Sequence, residues 1–340
     1  MPKDNETIQD PIGPVGPTES KPFAPDQMIR CDECLRVNPP TRVNCLYCGA
    51  ALPVTETSAH LRRPNMRPVE KGSIGFSTIT INMGRRELSE DCLRAAADFL
   101  KLSADSLARL LTSSNPSPLA FTATQEDATL ITERLSEVGI PTITIDDNVL
   151  GFPEKISRIR SVNIGELALS VQPARSGGPF DIGWTEISLL VAGRLLTKKI
   201  EVKERKSRRN ENEILSTSEF YGDEMVLDVY SRQHSQTWRI GSTSFDFSCL
   251  ADEKSLVATE NLSKLTNLLR SRSRAAMFDE RYNELRQSLD LIWPTEQETK
   301  SLGWRREAPG KLTIGQLTVN TNDAQFSRYS RLRYYLLNKE

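Results

Sequence analysis

The sequence predicts a multidomain α+β protein, and three patterns along the chain support this fold class. Four of the six cysteines form two Cys-x2-Cys pairs between residues 31 and 48. Residues 73–148 mix segments of strand and helical periodicity, whereas the hydrophobic period changes to two from about residue 155. At roughly 100–200 residues per domain, a chain of 340 residues holds two or three domains.

The first 72 residues contain one small module between two polar segments. Residues 1–28 are rich in proline, glycine and charged residues without periodicity, which predicts a disordered tail. Residues 29–53 contain both cysteine pairs. Residues 54–72 are polar and contain prolines, which is typical of a linker.

Composition and charge exclude several function classes. The 44 basic and 45 acidic residues leave a formal net charge of −1, so binding to nucleic acid or to an anionic membrane requires a local patch. No run of about 18 apolar residues is present, so we expect no transmembrane segment. The N-terminus lacks the basic start and apolar stretch of a signal peptide, and the cysteine usage fits a reducing compartment. We therefore expect a cytoplasmic protein.

The spacing Cys31-x2-Cys34-x10-Cys45-x2-Cys48 is the strongest chemical signal in the sequence. Each pair presents two thiolates to one ion, and four thiolates in a tetrahedron suit Zn²⁺. An all-sulfur set also accepts iron, and a redox dithiol is the alternative without a metal. Because four cysteines complete the coordination shell, we expect one structural zinc ion. Gly49, after the second pair, permits the positive φ that such a turn often needs.

The pattern Cys34-x3-Asn38-x6-Cys45 resembles the nucleoporin-type (Ran-binding-protein) zinc finger, in which an asparagine follows the first pair at this distance. The resemblance implies a finger that binds ubiquitin or single-stranded RNA. However, Leu35-Arg36 stands where the ubiquitin binders have Thr-Phe, and Ile29 stands where the family usually has tryptophan. Neither activity is therefore transferred, and a general zinc ribbon that contacts protein fits equally well.

The residues that the metal would hold in place form the expected contact surface of the ribbon. Arginines beside the ligands also offset the charge of about −2 that four thiolates and Zn²⁺ leave. The expected contact residues are Arg36, Asn38, Arg42 and Tyr47.

The segment 73–148 predicts the element order β-α-α-β-α-β. The expected strands are Phe76–Ile81, Leu119–Thr122 and a third from Pro141 onward. Apolar residues at helical spacing predict three helices, which begin at Ser89, at Ser103 and at Thr124 or Gln125. Gly139 is expected to end the third helix.

Two runs of this segment, DCLRAAADFLKLSADSLARLL and PLAFTATQEDATLITERLSEVGIPTITI, resemble the C-terminal domain of the bacterial ribosomal stalk protein and the related ClpS adaptor fold. The resemblance implies a small protein-contact module without an active site. In the stalk family, lysines on the first two helices contact translation factors. Here only Arg94, Lys101 and Arg109 are available, so that function does not carry over.

From about residue 155 to residue 340, segments of period two predict a β-rich domain. The expected strands are Ile156–Val162, Leu167–Val171, Phe180–Trp184, Ser188–Val191, Lys198–Lys203, Met225–Tyr230 and Thr237–Ile240. One long amphipathic helix is expected over about 258–291, and the last 30 residues are expected to add a terminal strand pair.

Seven short strands followed by one long helix resemble a pleckstrin-homology-like barrel. The run Trp184-Thr185-Glu186-Ile187 looks like a strand ending that is frequent in bacterial members of that superfold. The resemblance implies a β barrel whose open end is closed by the helix, because a lone curled sheet leaves its apolar interior wet.

A basic run between residues 198 and 209 is the strongest candidate for binding phosphate groups of nucleic acid or of lipid headgroups. Glutamates interleave with this run and follow it, which favours a solvated hairpin loop. The candidate contact residues are Lys203, Arg205, Lys206, Arg208 and Arg209.

No catalytic constellation is apparent in the sequence. His60 and His234 are the two histidines, and neither has a nucleophile or carboxylate at a recognisable spacing. We therefore expect a non-enzymatic, zinc-binding interaction or scaffold protein whose modules bind other proteins. The alternatives are nucleic-acid binding through the ribbon and the basic hairpin, and association with anionic lipid surfaces through the same hairpin.

Overall fold

The computed structural model describes residues 23–81, 88–112, 115–175, 177–205, 213–233, 237–308 and 311–339. The fold is mixed α+β, as predicted. The chain divides into two compact units, Met1–Arg63 and Pro64–Glu340. Of the predicted tail, residues 1–22 lie outside the described ranges, whereas Pro25–Gln27 form a short 3-10 helix.

The first unit contains a two-stranded antiparallel sheet and a short helix. Strand β1 is Ile29–Arg30, strand β2 is Val37–Asn38 and helix α1 is Glu56–Ala59. The buried Arg62 guanidinium donates to the main-chain oxygens of Leu52 at 2.6 Å and of Pro53 at 3.0 Å. Residues 54–63, which the sequence assigns to the linker, therefore pack on the cysteine module.

The second unit begins with the predicted order of strands and helices. Its elements are β3 Phe76–Thr80, α2 Glu90–Leu100, α3 Ala104–Thr112, β4 Pro118–Thr122, α4 Gln125–Glu137 and β5 Thr142–Asp146. Strand β3 lies between β4 and β5 and pairs antiparallel with both. The hydroxyls of Ser89 and Thr124 accept main-chain N–H bonds and cap α2 and α4. Gly139 has a φ of 83°, as expected for the residue that ends α4.

A nine-stranded sheet follows, and it curls into a half-barrel. Its strands are β6 Ser157–Ile164, β7 Ala168–Pro173, β8 Phe180–Gly183, β9 Ile187–Arg205, β10 Glu213–Ser231, β11 Trp238–Gly241, β12 Met277–Asp279, β13 Glu296–Ala308 and β14 Lys311–Thr321. The strand order is β13-β14-β9-β10-β11-β6-β7-β8, and β12 pairs with β9. The helices of this part are α5 Ala258–Arg272, α6 Tyr282–Leu289 and α7 Asp323–Leu337.

Strand β9 is longer than the sequence indicates. Separate strands are predicted at Ser188–Val191 and Lys198–Lys203, but β9 runs unbroken from Ile187 to Arg205. Gly193 does not interrupt the strand, because it stays paired with Val226 of β10. The ring of Phe326 occupies the space where a side chain at this position would lie.

The prediction of a single helix over 258–291 is wrong. Helix α5 ends at Arg272, strand β12 pairs in parallel with β9, and α6 then begins at Tyr282. Ala276 lies seven residues after Leu269, as it would on the same face of a continuous helix. The hydrophobic periodicity therefore gives no sign that the helix ends at Arg272. The pairing of β12 with a strand almost 90 residues earlier in the chain decides the structure here.

Of the predicted terminal strand pair, the first strand is found as β14, but the second is wrong, because a helix follows β14. Asn322 binds β9 through its side chain, accepting from the Leu196 N–H at 2.7 Å and donating to the Arg194 oxygen at 2.9 Å. Helix α7 starts at the next residue and buries Phe326, Tyr329 and Leu332 at a spacing of three. The hydrogen bonds of Asn322 to β9, a strand far earlier in the chain, therefore fix where α7 begins.

Two hydrophobic cores lie on the two faces of the β9–β10 pair. The first joins the strands to α5 through residues that include Leu190, Leu227, Val229, Leu262, Leu265 and Leu269. The second includes Ile79, Phe121, Ile145, Val191, Val226 and Phe326. Segments 73–148 and 155–340 therefore share this second core. A hydrogen bond of 3.1 Å from the Trp293 indole to the Ser77 hydroxyl also joins the two segments.

Replacing Gly193 with alanine is expected to destabilise the Pro64–Glu340 unit by about 1–3 kcal/mol, because the added methyl group overlaps the Phe326 ring. All four tryptophans lie in this unit, so denaturant unfolding followed by tryptophan fluorescence in the full chain reports on it. Gly177→Ala is the control, since the nearest atom to its new methyl group is Pro173 Cγ at 3.6 Å. Equal free energies of unfolding for Gly193→Ala and the wild type would contradict this packing.

Candidate metal centre

The four cysteines of the ribbon converge on one point. Their Sγ atoms all lie within 4.8 Å of one another. The Sγ atoms of Cys31 and Cys48 are 3.6 Å apart, as are those of Cys34 and Cys45. Four sulfurs at about 2.3 Å from a tetrahedral zinc ion would be about 3.8 Å apart. A disulfide requires a distance of about 2.05 Å, so the four thiols suit a single metal ion.

The two Cys-x2-Cys turns have the same main-chain hydrogen bonds. The Cys31 oxygen accepts from Leu35 N–H at 2.9 Å, and the Cys45 oxygen accepts from Gly49 N–H at 3.0 Å. Gly49 has a φ of 79°, as the sequence predicts, and Leu35 has a φ of 61°. The backbone therefore directs each pair of sulfurs inward, and the left-handed Leu35 lies at the tip of the first turn.

Asn38 joins the two turns from the interior. Its Nδ2 donates to Cys45 Sγ at 3.4 Å and to the Arg36 oxygen at 3.1 Å, and its Oδ1 accepts from Leu46 N–H at 2.8 Å. Asn38 is completely buried, so the structure does not place it on the predicted contact surface. It positions a ligand sulfur instead, in the manner of groups that orient metal ligands from behind.

In the folded arrangement without an ion, the surroundings of Cys45 and Cys48 separate the acidities of their thiols. Burial opposes ionisation of Cys45, but the N–H groups of Cys48 and Tyr47 and the Asn38 amide lower its pKa to about 6. The Ala50 N–H lowers the pKa of Cys48, but burial and the neighbouring thiols together raise it to about 12. At neutral pH Cys45 is therefore a ready thiolate, whereas a metal ion would have to displace the proton of Cys48.

The exposed ends of both turns carry large apolar side chains. The Arg36 guanidinium lies 4.8 Å above the centre of the Tyr47 ring. Leu35, Val37, Leu46 and Tyr47 are each at least half exposed. We call these five residues, Leu35, Arg36, Val37, Leu46 and Tyr47, the knuckle patch. Arg42, also predicted as a contact residue, is only partly exposed, and its Nε is buried.

Sequence reasoning identified Arg36 and Tyr47 of this patch but missed Leu35, Val37 and Leu46. A signal was available in the composition of the module. Its buried apolar residues other than cysteine are few, and they include Ile29, Val43 and Leu52. A ribbon of this size cannot bury all of its large apolar side chains, so an excess must lie outside.

The basic run is partly neutralised where the structure describes it. Lys198 pairs with Glu219 at 3.0 Å, and Lys203 pairs with Glu201 at 3.7 Å. Arg205 lies in β9 opposite Glu213 of β10. Lys206, Arg208 and Arg209 lie outside the described residues, as does His234. Two of the described basic residues of the run are therefore paired within the chain.

No protein family, curated protein or solved structure matches this chain. Within the ranges that the structure describes, no helix combines the length and the apolar character needed to cross a membrane. The four-cysteine cluster is also the one group of potential metal ligands found among those residues. It is therefore the candidate site on which a functional account rests.

Replacing Asn38 with alanine is expected to weaken zinc binding about 10–100-fold, because Cys45 loses the amide that orients its sulfur. Competition with a chromogenic chelator measures the affinity of the full chain for zinc. Arg36→Ala is the control, since its exposed side chain makes no hydrogen bond to a ligand sulfur in the described structure. Equal zinc affinity of Asn38→Ala and Arg36→Ala would contradict the role given to Asn38.

Zinc binding is expected to weaken as the pH falls, because protons compete with the metal for sulfur. In the folded module the pKa of Cys48 is about 12, so zinc has to displace its proton throughout the tested range. The pKa of Cys45 in the same arrangement is about 6, so its proton adds to the competition below that pH. Calorimetric titrations with zinc in buffers of different ionisation enthalpy measure both the affinity and the number of protons released. They are made between about pH 5 and 8, a range that includes the pKa of Cys45. A zinc affinity independent of pH across this range would contradict thiol coordination.

Proposed function

We propose that this chain is a non-enzymatic interaction or scaffold protein, and that one structural zinc ion shapes its N-terminal contact surface. The single observation that supports the proposal is the knuckle patch. The four apolar members of the patch, Leu35, Val37, Leu46 and Tyr47, are 58%, 50%, 54% and 55% exposed. Such a concentration of exposed apolar side chains is characteristic of protein contact sites.

The chemistry of the ligand set supports a structural role for the metal. Four cysteine sulfurs fill a tetrahedral shell and leave no position for substrate or water. The module buries few apolar side chains, so metal binding would supply most of its folding free energy. Because the metal and not a hydrophobic core would hold the module together, the two turns can carry apolar residues on the outside with little loss of stability.

The patch suits an apolar protein surface better than a phosphate backbone. It contains four apolar side chains and one guanidinium, and Arg36 stacks on Tyr47. Aromatic and arginine residues are enriched in protein interfaces. The alternatives of nucleic-acid and anionic-lipid binding rely on the basic run, in which Lys198 and Lys203 pair with glutamates. These ion pairs reduce the local field that phosphate binding requires.

Replacing Leu46 and Tyr47 together with serine is expected to abolish capture of specific protein partners while zinc binding is retained. Both side chains are exposed, so the substitution removes contact area without opening the fold. Quantitative mass spectrometry of proteins captured from native lysate on the wild type and on the variant measures the difference. Zinc content, measured in parallel, shows that the ribbon remains folded.

Leu256→Ser is the matched control, because Leu256 is a fully exposed leucine outside the ribbon. We expect some proteins to be captured by the wild type and by Leu256→Ser but not by the Leu46→Ser/Tyr47→Ser variant. A capture profile that is identical for all three chains would count against the patch as a contact site. Nuclease-sensitive capture through the basic run would favour the nucleic-acid alternative.

A further inference from the structure

Strands β9, β10, β13 and β14 extend beyond the two cores as a four-stranded arm, made of residues 197–205, 213–224, 296–308 and 311–321. Strand β11 pairs with β10 only at Val226–Val229. Before Met225, the described residues of β10 pair on one side only, with β9. One edge of the arm is therefore a long strand with an open side.

The hydrogen bonds of Met225 identify the main-chain groups on this open side. Its N–H donates to Ser242 Oγ at 3.1 Å and its oxygen accepts from Ser242 N–H at 2.8 Å, both away from β9. Main-chain groups alternate between the two sides of a strand. Those of Thr217, Glu219, Tyr221 and Asp223 therefore point outward, and no main-chain partner for them lies among the described residues.

The two edges of the arm differ in how well they can accept another strand. The ladder of β13 with β14 shifts register between Ser301 and Gly303 and again between Arg306 and Ala308. Such bulges are a usual way of protecting an edge from pairing. Within the arm, strand β10 has one shift, between Ile214 and Ser216, and its pairing with β9 is then regular as far as Tyr230. It has no proline or lysine in this stretch. The open edge of the arm is therefore that of β10.

Charge does not oppose the approach of a second β10 strand. The carboxylates of Glu219, Asp223 and Glu224 pair with Lys198 at 3.0 Å, Arg194 at 3.3 Å and Arg158 at 2.8 Å. Each acidic side chain between Ser216 and Glu224 is thus neutralised within its own chain. Phe220 and Tyr221 on the same stretch are 56% and 72% exposed.

We propose that two copies of this chain pair antiparallel through the β10 edge, with Phe220 opposite Phe220 at the two-fold axis. This register places Glu219 opposite Tyr221 and Thr217 opposite Asp223, so that these four outward-facing residues exchange about eight main-chain hydrogen bonds. The pairing has to end where Ser216 faces Glu224, because Met225 and Val226 already bond to Ser242 and β11. The register shift between Ile214 and Ser216 is the point at which each copy can bend away from the other. Phe220 is then a non-hydrogen-bonded pair, in which side chains lie closest. Ser218 and Gly222, its neighbours on the same face, leave space for the rings.

Neighbouring registers are less favourable. A shift that centres the axis on Glu219 sets the two Glu219 side chains against each other. A shift that centres it on Tyr221 sets Glu219 against Asp223. Both registers set carboxylates against each other and not only against their own cations, so the register centred on Phe220 is favoured over these two. The dimer joins two arms into a continuous eight-stranded antiparallel sheet.

The test is the mass of the full chain in solution, measured by sedimentation equilibrium at loadings of about 1–100 µM so that a small interface is detected. The wild type is expected to reach the mass of a dimer. Phe220→Lys and Phe220→Glu each place like charges at the axis and are expected to be monomers. Mixed in equal amounts, they are expected to form a heterodimer, which a misfolded variant would not do.

Trp304→Lys is the control, since Trp304 is 50% exposed on the bulged strand β13. This variant is expected to remain a dimer. Hydrogen exchange at Glu219 and Tyr221 is expected to be slow in the wild type and fast in Phe220→Lys. A folded wild type that stays monomeric throughout would overturn the proposal. Dimers that persist in Phe220→Lys, or a mixture of the two charged variants that fails to pair, would also overturn it.

Discussion

Main-chain pairing of β9 with β10 is the constraint on which the Pro64–Glu340 unit depends. The two strands stay paired along the whole of β9, so one face of each strand contributes to each core. The other edge of β9 bonds first to β12 and then to β14, and Asn322 ties the start of α7 to the same strand. Because the pair extends beyond both cores, the strands that organise the interior also produce the arm and its open edge.

The cysteine module is stabilised in a different way from the Pro64–Glu340 unit. Its strands are two residues long and its buried apolar side chains are few. Convergence of four sulfurs therefore takes the place of a hydrophobic core, and Asn38 couples the two turns to the ligand set. The consequence is that large apolar residues are left for the outside. The four-cysteine cluster and the knuckle patch therefore both follow from the small interior of the module.

Local signals were sufficient to predict part of this structure. The cysteine spacing predicted the cluster, because ligand turns are set by residues a few positions apart. The strands and helices between Phe76 and Asp146 follow periodicity and caps such as Ser89, Thr124 and Gly139. The sequence did not predict the length of β9, the break after Arg272 or the helix that begins at Asp323. Each of these depends on a partner far along the chain.

The candidate site was predictable to a similar extent. The ligands and the presence of Arg36 and Tyr47 on the surface follow from the sequence pattern. The inward position of Asn38 does not, because a polar residue between ligands is as compatible with a contact surface as with a bond to sulfur. The apolar members of the knuckle patch required knowledge of which side chains the small interior leaves out.

X-ray absorption at the zinc edge of the purified full chain tests the central claim most directly. The account predicts one zinc per chain with four sulfur neighbours at about 2.3 Å and no nitrogen or oxygen in the first shell. It also predicts that removing the metal with a chelator unfolds the cysteine module and leaves the tryptophan fluorescence of the Pro64–Glu340 unit unchanged. A first shell that contains nitrogen or oxygen, or a module that stays folded without metal, would contradict it.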